Sequence, residues 1–215
     1  MKIRWLGHAS FLITSDSGTR VITDPYKPDV RLKYAPVNET ADIVTTSHGH
    51  GDHNYVADVK GNPVVVNTAG KHNVEGIAIS GVATYHDAEN GSQRGANIVF
   101  NLNVDGVQVC HVGDLGHVIT PEQAKEIGHV DVLLVAVGGF YTIDAPSATT
   151  VADMLKPRVI VPMHFRNPKC DFPISDVEPF LKGKRNVKRP DASELEFRKG
   201  MLPAETDIIV LKPAR

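Results

Sequence analysis

The sequence has little cysteine and no long apolar run, and each lack excludes a class of protein. Among 215 residues only Cys110 and Cys170 are cysteine, and they form no CxxC motif. Two distant thiols cannot build the disulfide framework of a small secreted domain, so both are expected to be reduced. Apolar stretches such as 130–137 are far shorter than the roughly 20 residues that cross a bilayer, which argues against a membrane-spanning helix.

An excess of charge of one sign is also absent. Lys and Arg number 23 and Asp and Glu 25, which gives a formal net charge of −2. This balance creates no overall field that would collect nucleic acid or anionic lipid. The N-terminal residues show neither an apolar segment of about 7–15 residues nor a small-residue cleavage site. We therefore expect a cytoplasmic protein with no membrane partner and do not expect a nucleic-acid partner, and we leave homo-oligomerisation open.

The apolar pattern predicts short strands in the first half and alternating helices and strands in the second. The early strands are predicted at 2–6, 10–14, 20–23, 43–46, 63–66, 77–85, 98–104 and 107–112. Asp105-Gly106, between the last two, is the strongest hairpin signal. Helices are expected after Thr120-Pro121, over 147–155 and from 175, with later strands at 130–137, 159–161 and 207–211. The pattern predicts one domain over 1–215, a sheet sandwich covered by helices.

A cluster of histidines follows the predicted strand 43–46. Three of the ten histidines lie between positions 48 and 53, together with Asp52. Side chains two apart in an extended chain point the same way, so His48 and His50 can share one ion, while the next turn aims Asp52 and His53 at a neighbouring one. Such donors suit borderline divalent ions, and an ion with an open position lowers the pKa of bound water to about 7. The spacing of these residues predicts two metal positions. The alternative is a polar surface loop that binds no metal.

The spacing His48-x-His50-x-Asp52-His53 after an apolar strand resembles the signature of the metallo-β-lactamase superfamily. Further segments follow in the order found in that family: Gly7-His8-Ala9-Ser10-Phe11, Thr23-Asp24-Pro25, Gly113-Asp114-Leu115-Gly116-His117, Gly138-Gly139-Phe140-Tyr141-Thr142 and Pro162-Met163-His164. They are similar to a small bacterial branch of metal-dependent hydrolases related to ascorbate-6-phosphate lactonase. The resemblance implies an α+β fold, a four-layer αββα sandwich in which two mixed β-sheets are flanked by helices.

The resemblance also implies a ligand set. His86, Asp114 and His164 each follow a predicted strand, in the family's order. By this resemblance one ion is held by His48, His50 and His86, the other by Asp52, His53 and His164, and Asp114 bridges the two. The implied cofactors are two divalent ions, zinc foremost and manganese, nickel or iron as alternatives. A hydroxide between the ions would be the nucleophile.

Catalytic roles are implied for His8 and Asp24 in addition to Asp52. Asp24 is expected to hydrogen-bond the metal loop rather than bind an ion. His8 is expected near the mouth of the site, as a proton shuttle or substrate contact. A turn carboxylate and a structural histidine are the alternatives for these two positions.

Four further residues are candidate substrate contacts. They are Tyr141, Arg94, Arg166 and His117. A guanidinium could grip a phosphate or carboxylate of the substrate, and a tyrosine hydroxyl could donate a hydrogen bond. Solvated arginines and an ordinary strand-end turn are the alternatives.

The expected function is metal-dependent hydrolysis of an ester or lactone bond in a small molecule. A phosphodiesterase or nuclease on the same dinuclear site is one alternative. A metal-binding sensor without turnover and iron-dependent redox chemistry are others. The basic segment 182–189 has no interleaved aromatic residue to stack a base and is expected to be a solvated loop.

Overall fold

The computed structural model describes residues 1–215, which form two β-sheets packed face to face. The first sheet contains, in spatial order, β13 (Glu194–Glu196), β1 (Lys2–Gly7), β2 (Ser10–Thr14), β3 (Arg20–Thr23), β4 (Ile43–Thr45) and β5 (Val64–Val66). Strands β13, β1, β2 and β3 pair antiparallel, whereas β3, β4 and β5 pair parallel. The first sheet is therefore mixed.

The second sheet has eight strands. In spatial order they are β12 (Val187–Lys188), β14 (Asp207–Ile209), β11 (Val159–Met163), β10 (Val132–Ala136), β9 (Val107–His111), β8 (Ala96–Val104), β7 (Ile77–Tyr85) and β6 (Gly70–Val74). Strands β6, β7, β8 and β9 pair antiparallel with their neighbours. Beyond β9, the strands β10, β11, β14 and β12 follow in this spatial order, and each pairs parallel with the one before it. The Asp105-Gly106 hairpin between β8 and β9 is confirmed, with φ of 53° and 76° at the two turn residues.

The main core lies between the two sheets. Trp5 and Phe11 of the first sheet belong to the same buried cluster as Phe100 and Leu134 of the second. Every residue of β10 and β11 is buried, as expected for parallel strands that are covered on both faces. Removing this apolar surface from water, at about 25 cal/mol per Å², is the main stabilising contribution to the sandwich.

Three helices cover the outer face of the second sheet. They are α1 (Pro121–Ile127), α2 (Ala145–Leu155) and α3 (Glu178–Leu181), with α1 against β7 and β8 and α2 against β10. Thr120 and Gln123 form a capping box at the start of α1, and the Asp144 side chain caps α2. None of the three helices is long and apolar enough to span a membrane.

The outer face of the first sheet is covered mainly by loops. Leu6, Ile22 and Val44 pack there against Tyr34 and Phe172, and Val56 of the short 3-10 turn Val56–Asp58 lies against the same cluster. The fold prediction is confirmed: two mixed sheets form an α+β sandwich with helices outside. On the first sheet, however, the outer layer is largely irregular chain.

Candidate metal centre

Five strands end at one place and bring the predicted ligands and His8 together there. His8 follows β1, the 48–53 loop follows β4, His86 follows β7, Asp114 follows β9 by a short loop, and His164 follows β11. Strands that stop at a common edge bring residues together that are far apart in sequence. Two groups of donors at this edge correspond to the expected ion positions, and a third group, Asp24 with His48 and His53, overlaps both.

The first donor set is the one that the resemblance implies. The ligand nitrogens of His48, His50 and His86 lie within 4.8 Å of one another. Their ring centroids are 4.7 Å apart for His48 and His50, 4.7 Å for His48 and His86, and 5.2 Å for His50 and His86. Three imidazoles at this spacing can bind one ion.

The second donor set contains one residue more than expected. Asp52, His53 and His164 are joined by His8, and the four ligand atoms lie within 4.8 Å of one another. The His8 ring is 4.1 Å from the His164 ring, and its Nε2 is 3.4 Å from Asp52 Oδ2. His8 is only 1% exposed, so the expectation of a position at the site mouth is wrong. The turn after β1 directs its side chain inward, beneath the cleft.

Asp114 lies between the two sets. Its Oδ1 is 3.2 Å from His53 Nε2, and its Oδ2 is 3.4 Å from both His86 Nε2 and His164 Nε2. One carboxylate thus contacts members of both sets, which is the position that a bridging ligand would need.

The donors fit a pair of divalent cations because they lack other partners. Buried nitrogen and oxygen atoms without a hydrogen bond gather at this edge: both ring nitrogens of His8 and His164, Nε2 of His48 and His53, Nδ1 of His86, and Oδ1 of Asp114. A buried polar atom without a partner costs on the order of 1–3 kcal/mol. Imidazole and carboxylate are the donors that borderline divalent ions prefer, so bound cations would satisfy these atoms.

Electrostatics keep the set close to its metal-binding protonation state. Burial lowers the pKa of His48 to about 3 and that of His8 to about 4, and neighbouring imidazoles act in the same direction. Burial opposes ionisation of Asp114, but His164 and His53 outweigh it and hold the pKa of that carboxyl well below its usual range. For His53, burial is outweighed by Asp114 and Asp52, which raise its pKa. A cation would therefore displace a proton from His53.

Asp24 orients the metal loop, as the resemblance implies for this position. The fully buried carboxylate accepts hydrogen bonds from the Ser47 amide (2.7 Å), the Ser47 hydroxyl (2.5 Å) and Nδ1 of His53 (2.8 Å). Ser47 Oγ also lies 3.0 Å from Nδ1 of His48. With these Nδ1 atoms engaged, Nε2 of each histidine is left for the donor sets.

Several site residues adopt a strained backbone conformation. His8, Asp24 and His164 have φ values of 51°, 38° and 51°, in the left-handed region that non-glycine residues rarely adopt. Each lies just after a strand, where the left-handed turn reverses the direction of the chain. Such conformations cost about 1–3 kcal/mol each and are typical of functional sites.

The sequence analysis missed the residue that supports Asp114. Asn97, buried in β8, accepts a hydrogen bond from the Asp114 amide (3.0 Å) and donates to the Val112 carbonyl (3.0 Å) and Thr84 Oγ1 (2.8 Å). A Cβ added at Gly113 would lie 2.4 Å from Ser47 Cβ, so only glycine permits this approach. A single asparagine within a strand carries no local motif, which is why spacing could not find it.

An open cleft of about 620 Å³ leads to the donors. Among the predicted substrate contacts, Arg94 and Tyr141 line it. The cleft also contains Lys27, Arg31 and Phe172, which the sequence analysis did not select. They lie on loops whose conformation is set by tertiary packing, so no local signal marked them.

The other two predicted substrate contacts lie outside the cleft. Arg166 is exposed beyond the site, two residues after His164. Both ring nitrogens of His117 form hydrogen bonds with backbone groups. Nε2 accepts a hydrogen bond from the Tyr85 amide (3.3 Å), and Nδ1 donates one to the Val118 carbonyl (2.9 Å). The structure therefore does not bring these two residues into the cleft that leads to the donors.

A β-sandwich that gathers histidines and carboxylates at one edge defines a class of metal-binding proteins, and comparison with known proteins agrees. Residues 2–164 match the family described as β-lactamase superfamily domain. The chain is 28% identical to an Archaeoglobus fulgidus protein named UPF0173 metal-dependent hydrolase, over 99% of this chain and 96% of that protein. A protein of the same name from Carboxydothermus hydrogenoformans is 30% identical, over 77% and 84% of the two chains.

Solved structures show the same fold. A Thermotoga maritima protein of the metallo-β-lactamase superfamily, described by name as a candidate zinc-dependent hydrolase, is 42% identical with a TM-score of 0.82, covering 98% of this chain and 97% of that one. The short form of human tRNase Z is 12% identical with a TM-score of 0.57, over 78% and 93%, and shares the fold alone. The chain belongs to the metallo-β-lactamase superfamily, as the histidine motif predicts.

Proposed function

We propose that this protein is a metal-dependent hydrolase that cleaves a lactone or related carboxylic ester in a small molecule. The observation that carries the proposal is the pair of donor sets joined through Asp114 at an open cleft. The names of the relatives support the hydrolase class. The choice of ester or lactone rests on the similarity of the sequence motifs to the lactonase branch.

Some residues of the site would hold the ions, and others would contact the substrate. His48, His50 and His86 would hold one divalent ion and the second set the other, with Asp114 shared. Such ions, zinc foremost and manganese, nickel or iron as alternatives, supply a Lewis acid and hydroxide at neutral pH. The protein fixes the ligand orientations through Asp24 and Ser47.

Tyr141 is suited to orient the substrate. Its ring lines the cleft, and its backbone is held in the turn by a hydrogen bond from its amide to the Gly139 carbonyl (2.8 Å). The hydroxyl forms no hydrogen bond within the protein and is available to an ester oxygen. The open cleft also admits the water that hydrolysis consumes.

A nuclease is less well supported by the charge distribution. In the basic segment 182–189, Lys188 pairs with Asp207 and Arg189 with Glu178, at 2.6 Å each. Two of the five cations of this segment are thus neutralised within the molecule, which weakens it as a phosphate-binding track. Phosphodiester hydrolysis and metal binding without turnover are therefore outcomes of the test below.

The test is a substrate panel with the zinc-loaded protein. Lactones, aryl esters and bis(p-nitrophenyl) phosphate are compared before and after chelation, with His48→Ala as the ligand variant and the exposed Arg166→Gln as the matched control. We expect lactone or ester hydrolysis that disappears on chelation and in His48→Ala but persists in Arg166→Gln. Hydrolysis confined to the phosphodiester, or full activity in His48→Ala, would overturn the proposal.

A further inference from the structure

Three cations line the cleft without an acidic partner. Lys27, Arg31 and Arg94 all line the cleft, and none of them forms an ion pair with a carboxylate within 4.0 Å. Each instead lies over an aromatic ring: Lys27 Nζ is 5.5 Å from the Tyr55 centroid, Arg31 Cζ 5.1 Å from Phe172, and Arg94 Cζ 5.9 Å from Tyr141. Aromatic faces position a cation without neutralising it.

Two of these contacts join into a continuous row. The Phe172 and Tyr141 rings lie 5.8 Å apart, edge to face, so that Arg31, Phe172, Tyr141 and Arg94 follow one another along the cleft. We call these four residues the cationic row. Phe172 also lies 5.5 Å from the His8 ring and 6.5 Å from the His164 ring. The row therefore adjoins the second donor set.

The acidic residue nearest in sequence does not neutralise the row. Asp29 also lines the cleft, but its Oδ1 accepts hydrogen bonds from the Arg31 and Leu32 amides, at 2.7 Å each. Its carboxylate thereby shapes the loop, and no ion pair forms with the Arg31 guanidinium. The other carboxylates of the cleft, Asp52 and Asp114, belong to the donor sets.

The loop that carries Arg94 is held in place. Asp87 accepts hydrogen bonds from four backbone amides, those of Glu89 (2.8 Å), Gly91 (2.8 Å), Gln93 (3.0 Å) and Arg94 (2.7 Å). The Arg94 backbone is therefore fixed before any ligand arrives. A preorganised loop loses less conformational entropy than a mobile one when its side chain binds an anion.

We propose that the substrate carries an oxyanion, a phosphate monoester or a carboxylate, which Arg31 and Arg94 bind while the scissile ester lies at the donor sets. This inference rests on the proposed function. Guanidinium groups recognise both oxyanions through paired N–H donors, and Lys27 adds a third positive charge at the same cleft. These three cations lie together at one cleft beside the donor sets, where an anionic group of the substrate would meet them.

The test compares substrates that differ only in charge. Hydrolysis by the zinc-loaded protein is compared between p-nitrophenyl acetate and p-nitrophenyl hemisuccinate, and between glucono-δ-lactone and its 6-phosphate. The first pair tests recognition of a carboxylate, and the second tests recognition of a phosphate. We expect kcat/KM at least tenfold higher for one anionic member than for its neutral partner. Arg31→Gln and Arg94→Gln should each reduce that advantage at least tenfold through KM, while Arg166→Gln keeps it. Equal effects of the variants on charged and neutral substrates would overturn the inference.

A binding measurement keeps the inference independent of turnover. Calorimetry with the zinc-loaded protein and two non-hydrolysable probes, phenylphosphonate and glutarate, should give a Kd at least tenfold weaker for the Arg31→Gln/Arg94→Gln double variant. If the wild type hydrolyses nothing but binds a probe in this way, the proposed function fails and the anion site stands. If the double variant binds both probes as the wild type does, the anion site fails whatever the activity.

Discussion

At the residue scale, this site depends on which imidazole nitrogen is left free. Asp24 and Ser47 occupy Nδ1 of His53 and His48, so Nε2 of each faces the donor sets. Orientation of this kind by a neighbouring carboxylate also raises the basicity of the ligand. We therefore expect the carboxylate at position 24 to affect metal affinity, although it belongs to neither of the two proposed donor sets.

Asp24→Asn should weaken metal binding without unfolding the protein. The amide loses the negative charge that faces His53 and can no longer accept both Ser47 and His53 hydrogen bonds in the same way. We expect zinc affinity to fall about 10–100-fold, measured by competition with a chromophoric chelator. An unchanged affinity, with far-UV circular dichroism also unchanged, would contradict the positioning role.

His8→Gln tests whether this buried histidine belongs to the second donor set. If it does, the second ion loses a ligand, and the zinc content should fall from two ions towards one per chain by elemental analysis. A merely structural histidine would not alter stoichiometry. His117→Gln is the control, since His117 is engaged only with backbone groups and should leave two ions bound.

At the element scale, the positions of most strands along the chain and the ends that carry the ligands could be predicted, because alternation and β-branched runs mark buried strands. Strands β6, β12 and β13 were missed. These short strands carry no apolar alternation and pair through their backbones. Their polar residues include Lys71, Asn73, Lys188 and Glu196. The four ligands near 48–53 follow from spacing, whereas Asn97, Arg31 and the inward turn of His8 depend on tertiary contacts that no local pattern records.

The loop 87–95 should loosen in acid because its organiser is a carboxylate. Burial opposes ionisation of Asp87, but the backbone amides of Arg94, Glu89, Gly91 and Gln93 lower its pKa to about 2. A folded pKa below the unfolded value of 3.8 means that this stabilisation is present above about pH 4 and is lost as the pH falls towards 2.

Asp87→Asn should reproduce this loosening at neutral pH. Amides 89–94 are expected to exchange hydrogen at least tenfold faster than in the wild type, measured by mass spectrometry, while β10 and β11 keep their protection. Exchange that stays as slow as in the wild type would show that the carboxylate does not hold the loop.

At the scale of the whole molecule, the fold and the ions are only loosely coupled. The cores lie between the sheets and under the loops, and the donors occupy the edge, so we expect the sandwich to form without metal. Ions that bind only the folded state nevertheless stabilise it. At a concentration about 100 times Kd, one bound ion adds about 2.7 kcal/mol.

Chelation should therefore lower the melting temperature but leave the secondary structure intact. For a chain of this size about 1 kcal/mol corresponds to about 2–4 °C, so removal of both ions is expected to lower Tm by about 10–20 °C. Calorimetry before and after dialysis against EDTA measures the change, with His48→Ala as the comparison. Loss of the far-UV spectrum on chelation would contradict the independence of fold and ions.

The central claim is that two ions bind at one edge of the sandwich. Crystals of the zinc-loaded protein, measured on both sides of the zinc absorption edge, test it most directly. The account predicts two anomalous peaks, one among His48, His50 and His86 and one among His8, Asp52, His53 and His164, with Asp114 in contact with both. The absence of any peak at these donors, or zinc bound only elsewhere on the surface, would contradict it.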